Sequence, residues 1–257
     1  KIRLVRAWAY LYWVGGIGNP PEGDPPPGFD YDMWLGPAPE RPFNKNRFHF
    51  NFRWFWDYAN GLMSDWGVHL INIAMWAMGY SAPKTVTSTG GKMVVDDNTE
   101  TPDTQIAVYE FPTYTFVWEH QMLGGVGIGG RPHGLCFSGS EGTLIVDAKG
   151  WEVIPEPKKK SPLAYMRTVD PNDRRADGRP AHVRNFLDCV RSRQQPVENL
   201  EVGHLVSSVA HLGNVALRSR AKIVWDAENE RCVGNGGADQ FLHRQYRKPW
   251  KLPYAKV

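Results

Sequence analysis

The chain has 257 residues and a formal net charge of +3, since 30 Lys and Arg oppose 27 Asp and Glu. That length is enough for one large domain or two small ones whose core needs no metal or disulfide. A nucleic-acid-binding role is disfavoured, because the basic residues form separate clusters rather than one stripe. These clusters are residues 158–160, the Arg174-Arg175 pair and residues 244–251. Three cysteines without CxxC spacing predict neither a disulfide framework nor a zinc site; they are Cys136, Cys189 and Cys232.

The sequence contains no sign of a membrane protein. No apolar run reaches the ~18 residues of a membrane span, and no signal-peptide pattern is present. We therefore expect a soluble protein of a bacterial cytoplasm or periplasm. Residues 1–13 (KIRLVRAWAYLYW) alternate between charged and apolar residues, which is typical of a β-strand. A strand that begins at residue 1, without an initiating Met, indicates a fragment of a longer protein.

Residues 15–42 hold much of the Pro and Gly of the chain. Because Pro removes backbone donors and Gly adds chain entropy, this segment is predicted to be irregular rather than helix or central sheet. Its large apolar side chains favour order, since leaving them in water is costly. Aromatic residues continue through residues 48–58 (FHFNFRWFWDY). Most are expected to pack in a core, whereas some, Trp56 among them, are candidates for an apolar platform that binds the face of a sugar ring.

Residues 64–78 show the clearest helical pattern. Ser64 is predicted as the N-cap, Asp65 complements the positive helix end, and Gly79 suits the position after the last turn. The spacing places two stripes along the helix, one apolar and one rich in chemically reactive groups. The apolar stripe is Val68, Ile71, Met75 and Met78, and the other is Asp65, His69, Asn72 and Trp76.

Between residues 84 and 154 the pattern changes to short runs separated by tight turns, which join antiparallel neighbours. The predicted strands are residues 85–88, 104–111, 113–120, 134–137, 142–146 and 151–154. Two amphipathic helices follow, one from Pro180 and one over residues 201–218, and residues 222–225 add a last strand. This order predicts an α+β fold: an open, mostly antiparallel β-sheet with helices on one face. We expect a substrate-binding and oligomerisation domain, residues 1–226, with a tail packed on it, residues 227–257.

Residues 125–130 (GVGIGG) match the letters of the GxGxxG dinucleotide fingerprint. A dinucleotide site also requires a helix that begins within the motif, whereas here Arg131-Pro132-His133-Gly134 leads into another strand. The segment is therefore interpreted as a flexible glycine loop that, together with Arg131 and His133, can close on a substrate.

Asp65 and His69 lie four residues apart near the start of the predicted helix. A carboxylate one turn before an imidazole can orient the ring and raise its pKa, which suits a general base that takes a proton from a hydroxyl. Such pairs also occur on helix surfaces without a function, so the spacing leaves both interpretations open. On the last helix His204, His211 and Asn214 lie along one side, either as buried polar residues or facing the site. No third ligand has the spacing of a zinc site, so no metal is predicted.

Three segments, in order, carry a family resemblance. They are RPFNKNRFHFNFRWFWDYANGLMSDWGVHLINIAMWAMG, GLCFSGSEGTLIVDAKGWEVIPE and HVRNFLDCVRSRQQPVENLEVGHLVSSVAHLGNVA. The first resembles the opening of the C-terminal domain of the glucose-fructose oxidoreductase, inositol dehydrogenase and rhizopine catabolism family (Gfo/Idh/MocA). The second is similar to the sheet of that domain and the third to its closing helices. The likeness covers nearly all of residues 1–226.

The resemblance implies a two-domain oxidoreductase whose N-terminal Rossmann domain binds NAD or NADP and supplies a lysine from a Glu-Lys-Pro motif. The Asp-x-Gly-x-His element of the family matches Asp65, Gly67 and His69. By this resemblance His69 deprotonates a substrate hydroxyl as hydride leaves for the nicotinamide, and Asp65 orients His69 or binds a neighbouring hydroxyl. Gly67 is expected to let backbone or ligand approach closely, despite its ~1 kcal/mol helix penalty. Neither the Rossmann fingerprint nor Glu-Lys-Pro occurs in the sequence, so the cofactor is expected to be bound mainly by a domain absent from this chain.

We therefore expect the substrate-binding and catalytic-base domain of an NAD(P)-dependent oxidoreductase that acts on a hydroxyl of a sugar, polyol or cyclitol. A stand-alone carbohydrate-binding or assembly module without redox activity, and a glycoside-cleaving relative that uses transient oxidation, remain alternatives. The predicted site residues are His69 and Asp65 for catalysis and Trp56, Arg131, His133 and His211 for substrate. The expected partners are a small-molecule carbohydrate and a second copy of the chain, since an open sheet buries one face on helices and the other on a partner.

Overall fold

A single large sheet organises the chain. The computed structural model describes residues 1–13, 15–122, 124–158, 162–168 and 178–251. The described strands are β1 (Ile2–Tyr10), β2 (Thr85–Gly91), β3 (Thr104–Glu110), β4 (Thr115–Gln121), β5 (His133–Gly139), β6 (Gly142–Asp147), β7 (Gly150–Pro155), β8 (Met166–Arg167), β9 (Ile223–Asp226) and β10 (Arg231–Cys232). The described α-helices are α1 (Tyr31–Leu35), α2 (Gly61–Asp65), α3 (Gly67–Met78), α4 (Arg179–Ser192), α5 (Leu200–Ser219) and α6 (Gly236–Asp239). Two 3₁₀ helices span Lys45–Arg47 and His49–Trp54.

The first strand lies in the middle of the sheet, whose order is β10-β9-β2-β3-β4-β1-β5-β6-β7-β8. β1 pairs in parallel with β4 and antiparallel with β5, and the remaining described pairings are antiparallel. Because side chains alternate along a strand, Val5, Ala7 and Ala9 share one side of β1, where all three are fully buried. The predicted open, mostly antiparallel α+β sheet is confirmed.

Helices α2, α3 and α5 cover one face of the sheet and form the main hydrophobic core with it. Helix α5 begins where the Asn199 side chain accepts a hydrogen bond from the Val202 N–H at 2.9 Å, which satisfies a free donor of the first turn. Its inner side buries Val206, Val209, Ala210, Leu212, Gly213, Asn214, Val215 and Ala216. On the opposite face of the sheet, Ile106 and Val108 of β3 are 40% and 39% exposed. Helices α2, α3 and α5 therefore lie on one face of the sheet, as predicted.

The helix predicted over residues 64–78 is in fact two helices, α2 and α3. The chain enters α2 at Gly61, whose φ of 63° favours glycine, and a Cβ there would lie 2.6 Å from the Thr101 side chain. Ser64 consequently lies inside α2 and is not the N-cap, and its hydroxyl has no hydrogen-bond partner among the described residues. Gly79 follows the last turn of α3 with a φ of 82°, as the sequence predicted.

Two other segments depart from the sequence predictions. The prediction that residues 15–42 lack regular helix is wrong at α1, where an Asp30 carboxylate oxygen accepts from the Met33 N–H at 2.9 Å and caps the turn. Helix α4 forms as predicted, but none of its described residues is buried. Its apolar stripe is instead exposed: Val183, Phe186, Leu187 and Val190.

The segment after β9 packs against the rest of the domain. Strand β10 pairs with β9, helix α6 contacts α5, and Arg247 donates a hydrogen bond to Asp32 at 2.6 Å. No helix among the described residues is long and apolar enough to cross a membrane. Residues 159–160 and the Arg174-Arg175 pair, from the predicted basic clusters, lie outside the described residues.

Candidate substrate site at the start of helix α3

His69 lies in the first turn of α3 and is exposed. On the inner side of this helix Ile71 and Met75 are 0% and 1% exposed, whereas Trp76, on the same side as His69, is 73% exposed. Within α3 the predicted apolar side therefore faces the core and His69 and Trp76 face outward, whereas Asp65, predicted for the same outer stripe, lies in α2. A Cβ at Gly67 would meet its neighbours at ordinary distances of 3.6 to 3.9 Å, so close packing of the protein does not explain the glycine there.

Asp65 ends α2 and faces Arg53 rather than His69. Its Oδ1 lies 3.6 Å from Arg53 Nε, and the two side chains are 30% and 23% exposed. No hydrogen bond or ion pair joins Asp65 to His69 among the residues that the structure describes. The two groups therefore share one end of a helix without the direct contact that their spacing suggested.

Arg53 connects this carboxylate with two exposed aromatic rings. Its guanidinium carbon lies 3.9 Å from the ring centre of Phe50 and 5.8 Å from that of Phe52. Phe50 is 60% exposed, so part of its ring is accessible to a ligand. The aromatic run was visible in the sequence, but Arg53 was not identified, because its partner Asp65 is distant in the chain and near only after folding.

His133 approaches the same end of α3 through Trp66, the residue that joins α2 to α3. The ring centres of Trp66 and His133 are 4.8 Å apart, with an angle of 56° between the planes. Burial lowers the pKa of His133, and the Asp147 carboxylate opposes this effect. His133 is consequently neutral at pH 7, where one ring nitrogen donates a hydrogen bond and the other accepts one.

Arg131 is paired with two carboxylates of the protein itself. Its Nη1 lies 2.7 Å from an Asp147 oxygen and its Nη2 lies 2.8 Å from a Glu152 oxygen, with the side chain only 12% exposed. Both ends of the guanidinium are thus occupied, and Arg131 links β6 to β7. This geometry favours a structural role over the substrate contact that the sequence suggested.

The glycine motif before Arg131 forms a tight hairpin. Ile128 and Arg131 exchange two backbone hydrogen bonds of 3.1 Å, and Gly129 and Gly130 between them have φ values of 59° and 75°. Positive φ at both central residues is the geometry of a type I′ turn, which favours glycine. Since β5 follows this turn instead of a helix, the segment lacks the helix N-terminus that holds a pyrophosphate.

Trp56 and His211, the remaining predicted substrate residues, belong to a second group around Arg218 and Arg244. The Arg218 guanidinium carbon lies 4.7 Å from the Trp56 ring centre. Burial lowers the pKa of His211, and the nearby Arg244 cation lowers it further. The sequence did not identify either arginine, because each meets its partners only through tertiary contacts. Among the described residues no group of three or more His, Cys, Asp and Glu side chains is arranged to hold a metal ion.

Comparisons with known proteins agree with this fold. A family model described as "Oxidoreductase family, C-terminal alpha/beta domain" matches residues 5–122 and 152–252. Levoglucosan dehydrogenase, solved in complex with NADH and levoglucosan, has a TM-score of 0.60 at 10% identity, over 86% of this chain and 58% of that one. The WlbA dehydrogenase from Bordetella pertussis, in complex with NADH and UDP-GlcNAcA, has a TM-score of 0.54 at 13% identity, over 88% and 56%.

A third similar structure is an oxidoreductase domain protein from Kribbella flavida, with a TM-score of 0.58 at 15% identity, over 86% of this chain and 57% of that one. At such identities the likeness shows the fold alone. The chain spans less than two thirds of the length of each of these proteins. No curated protein has a significantly similar sequence.

Proposed function

Because the chain belongs to the Gfo/Idh/MocA oxidoreductase family through its C-terminal alpha/beta domain, we propose that it binds substrate and supplies the catalytic base of an NAD(P)-dependent oxidoreductase. The substrate class is a sugar, polyol or cyclitol with a hydroxyl to be oxidised. The observation that carries this proposal is the exposed His69 in the first turn of α3, one turn after Asp65, whose partner Arg53 contacts the exposed ring of Phe50.

His69 is assigned the role of general base. An exposed imidazole can take the proton of a substrate hydroxyl directly, and proton transfer by a positioned histidine is the commonest form of general-base catalysis. Asp65 contacts Arg53 and not His69, so we assign it to a neighbouring hydroxyl of the substrate instead of the orientation of His69. An ionised carboxylate accepts such a hydrogen bond well, since charge-assisted bonds are the stronger ones.

Other groups that contact Asp65 or Trp66, between α2 and α3, directly or through Arg53, are proposed to bind the rest of a sugar ring. Phe50 offers an open aromatic face that can cover the C–H face of a sugar, and Arg53 beneath it provides N–H donors. His133 contributes one donor and one acceptor beside Trp66. We include His133 among the proposed substrate contacts and leave Arg131 out, because its guanidinium is already paired.

Oxidation of the hydroxyl needs the nicotinamide of NAD or NADP as hydride acceptor. The described residues do not fit that cofactor, because the only GxGxxG segment is a hairpin that continues into β5. We therefore propose that NAD(P) is bound mainly by a domain outside these 257 residues, which would face the start of α3.

A steady-state assay of the complete protein tests this function. A panel of sugars, polyols and cyclitols is supplied with NAD or NADP, and formation of the reduced cofactor is followed by absorbance. At least one substrate is expected to reduce one cofactor, and product analysis with glycosides separates simple oxidation from bond cleavage that follows transient oxidation. Absence of reduction with every combination, in protein that binds the cofactor, would contradict the proposal.

The exposed rings around Arg53 also favour a second candidate, a carbohydrate-binding module without redox activity. Calorimetry of this chain with neutral sugars tests this candidate. It is supported if Phe50→Ala weakens sugar binding and the complete protein reduces no cofactor. Phe186→Ala on α4 is a matched control, since Phe186 is also exposed, at 57%. Equal binding by both variants would count against an aromatic sugar platform at Phe50.

We further propose that the open face of the sheet joins two copies of the chain. Ile106 and Val108 lie on that face, exposed by 40% and 39%, on the side of the sheet opposite the main core. Light scattering is expected to give a homo-oligomer that Ile106→Glu with Val108→Glu converts to a monomer. The same mass for the wild type and this variant would reject the interface, and Val183→Glu on α4 is the control.

A further inference from the structure

Arg218, in the last turn of α5, makes cation–π contacts with two aromatic rings. Its guanidinium carbon lies 4.7 Å from the ring centre of Trp56 and 4.5 Å from that of Phe241. Cation–π contacts of this kind do not supply hydrogen-bond acceptors to the N–H groups of the guanidinium. Among the described residues no acceptor or carboxylate contacts these donors, although the side chain is exposed. The rings therefore hold a cation in place without neutralising it.

Arg244 is a second cation near Arg218 without a bound carboxylate. It donates to the main-chain oxygens of Asp57 at 2.9 Å and Ala59 at 3.4 Å. The carboxylates of Asp57 and Glu100 are nearby, but each forms a 2.8 Å ion pair with Arg41. Both carboxylates therefore already form ion pairs with Arg41.

The two cations interact unfavourably in the absence of an anion. Burial lowers the pKa of the Arg218 guanidinium and the positive charge of Arg244 lowers it further, whereas the Asp57 and Glu100 carboxylates oppose this effect only in part. His211 lies on the same side of α5, seven residues before Arg218, and Arg244 has the same effect on its pKa. Like charges on partly desolvated groups repel each other, and a bound anion relieves this repulsion.

We propose that Arg218, Arg244 and His211 form a binding site for an oxyanion, a phosphate or carboxylate group. Paired guanidinium groups suit this ligand, because their planar donors match two oxygens at once. The oxyanion is either free in solution or carried by a sugar. The segment that contains Trp56 also contains Arg53, the partner of Asp65, so it connects these three residues to the start of α3. The proposal does not depend on the redox function, since binding requires no turnover.

Calorimetry of the chain with inorganic phosphate, glucose 6-phosphate, glucuronate and neutral glucose tests the site. Phosphate is expected to bind, and Arg218→Gln and Arg244→Gln are each expected to weaken its binding by about 10-fold or more, because each removes charge-assisted hydrogen bonds. Arg184→Gln is the matched control: it removes an exposed arginine on α4 and should leave the affinity unchanged. Thermal unfolding provides a second readout, since phosphate should raise the Tm of the wild type above its value in chloride at equal ionic strength.

The affinities distinguish the two sources of the oxyanion. Equal affinity for phosphate and glucose 6-phosphate indicates a free oxyanion, whereas tighter binding of glucose 6-phosphate or glucuronate than of both phosphate and glucose indicates an anionic sugar. Either pattern of affinities supports the site if Arg218→Gln and Arg244→Gln weaken anion binding. Absence of anion binding by the wild type, or binding that neither glutamine variant changes, would overturn it. Because these results need no cofactor, they stand even if the complete protein oxidises no sugar.

Discussion

The two sides of helix α3 differ in burial and are expected to have different roles. Ile71 and Met75 on the inner side are buried in the main core. His69 and Trp76 on the outer side are exposed and available to a ligand or another protein surface. Burial stabilises the fold, whereas an exposed side chain contributes little to it. Substitutions on the inner side should therefore change the free energy of unfolding, and those on the outer side should change binding or turnover.

The largest effect is expected for Ile71→Ala on the inner side. Removing a fully buried side chain leaves a cavity and should lower the free energy of unfolding by about 2–5 kcal/mol. Trp76→Ala, on the outer side, should change it by about 0.5 kcal/mol or less, although it removes a larger side chain. Denaturant unfolding measures both. Equal losses in the two variants would show that the outer side is packed as well.

His69→Ala should have the next largest effect, on turnover in the complete protein. Loss of a general base is expected to lower turnover by ~100-fold or more, with the free energy of unfolding unchanged. The control is His204→Ala, which removes an exposed histidine of α5 that pairs with Glu230 and should not affect turnover. Unchanged turnover of the His69 variant would reject its role as the base.

The buried His120 is expected to affect the stability of the protein, whereas the exposed His69 is expected to affect turnover. His120 in β4 is 2% exposed, and its Nδ1 accepts from Trp118 Nε1 at 3.0 Å. Burial lowers the pKa of His120 to about 4. The unfolded chain, with a histidine pKa near 6.5, takes up a proton first on acidification, so the folded state loses about 2 kcal/mol between pH 7 and pH 5.

Unfolding free energies across that pH range check this expectation. His120→Gln keeps an acceptor for Trp118 but cannot titrate, so its stability should be flatter from pH 7 to pH 5. Asp97 and Asp103, whose pKa values hydrogen bonds hold below the ordinary range despite burial, lose their contributions only at lower pH. A wild-type profile that is flat between pH 7 and pH 5 would contradict a buried, neutral His120.

The smallest effect is expected for the pair of Asp65 and Arg53. An ion pair of 3.6 Å between partly exposed groups should contribute about 1 kcal/mol or less to stability. A double-mutant cycle with Asp65→Asn and Arg53→Gln measures that coupling. A coupling well above this value would place Asp65 with the structural residues and weaken its assignment to a substrate hydroxyl.

Local sequence patterns predicted the elements of the fold and the pairing of strands that are neighbours in the chain, but not the pairing of distant strands. The alternation within β3 and β4 and the turn between them predicted both strands and their antiparallel pairing. The parallel pairing of β1 with β4 was not predicted, because alternation in a strand carries no information about its distant neighbour. Helix α4 shows the same limit: helical spacing predicted its apolar stripe, yet none of that stripe is buried.

The candidate site was predictable to a similar extent. The spacing of α3 placed His69 on the outer side, where the structure has it. Arg53 and Trp66 were missed, since their contacts with Asp65 and His133 exist only in the folded chain. The role suggested for Arg131 rested on its position beside a glycine loop, and the two acids that pair with it come from the following hairpin. Charge compensation of this kind depends on tertiary distances that a linear sequence does not contain.

The central place of β1 has a consequence for synthesis on the ribosome. β1 ends at Tyr10, whereas its neighbours begin only at Thr115 and His133, so this apolar strand remains unpaired while the long intervening segment is translated. Such a strand is prone to associate with other chains. Arg3 and Arg6 interrupt it with exposed charges, which act as gatekeepers against that association until both neighbours have emerged.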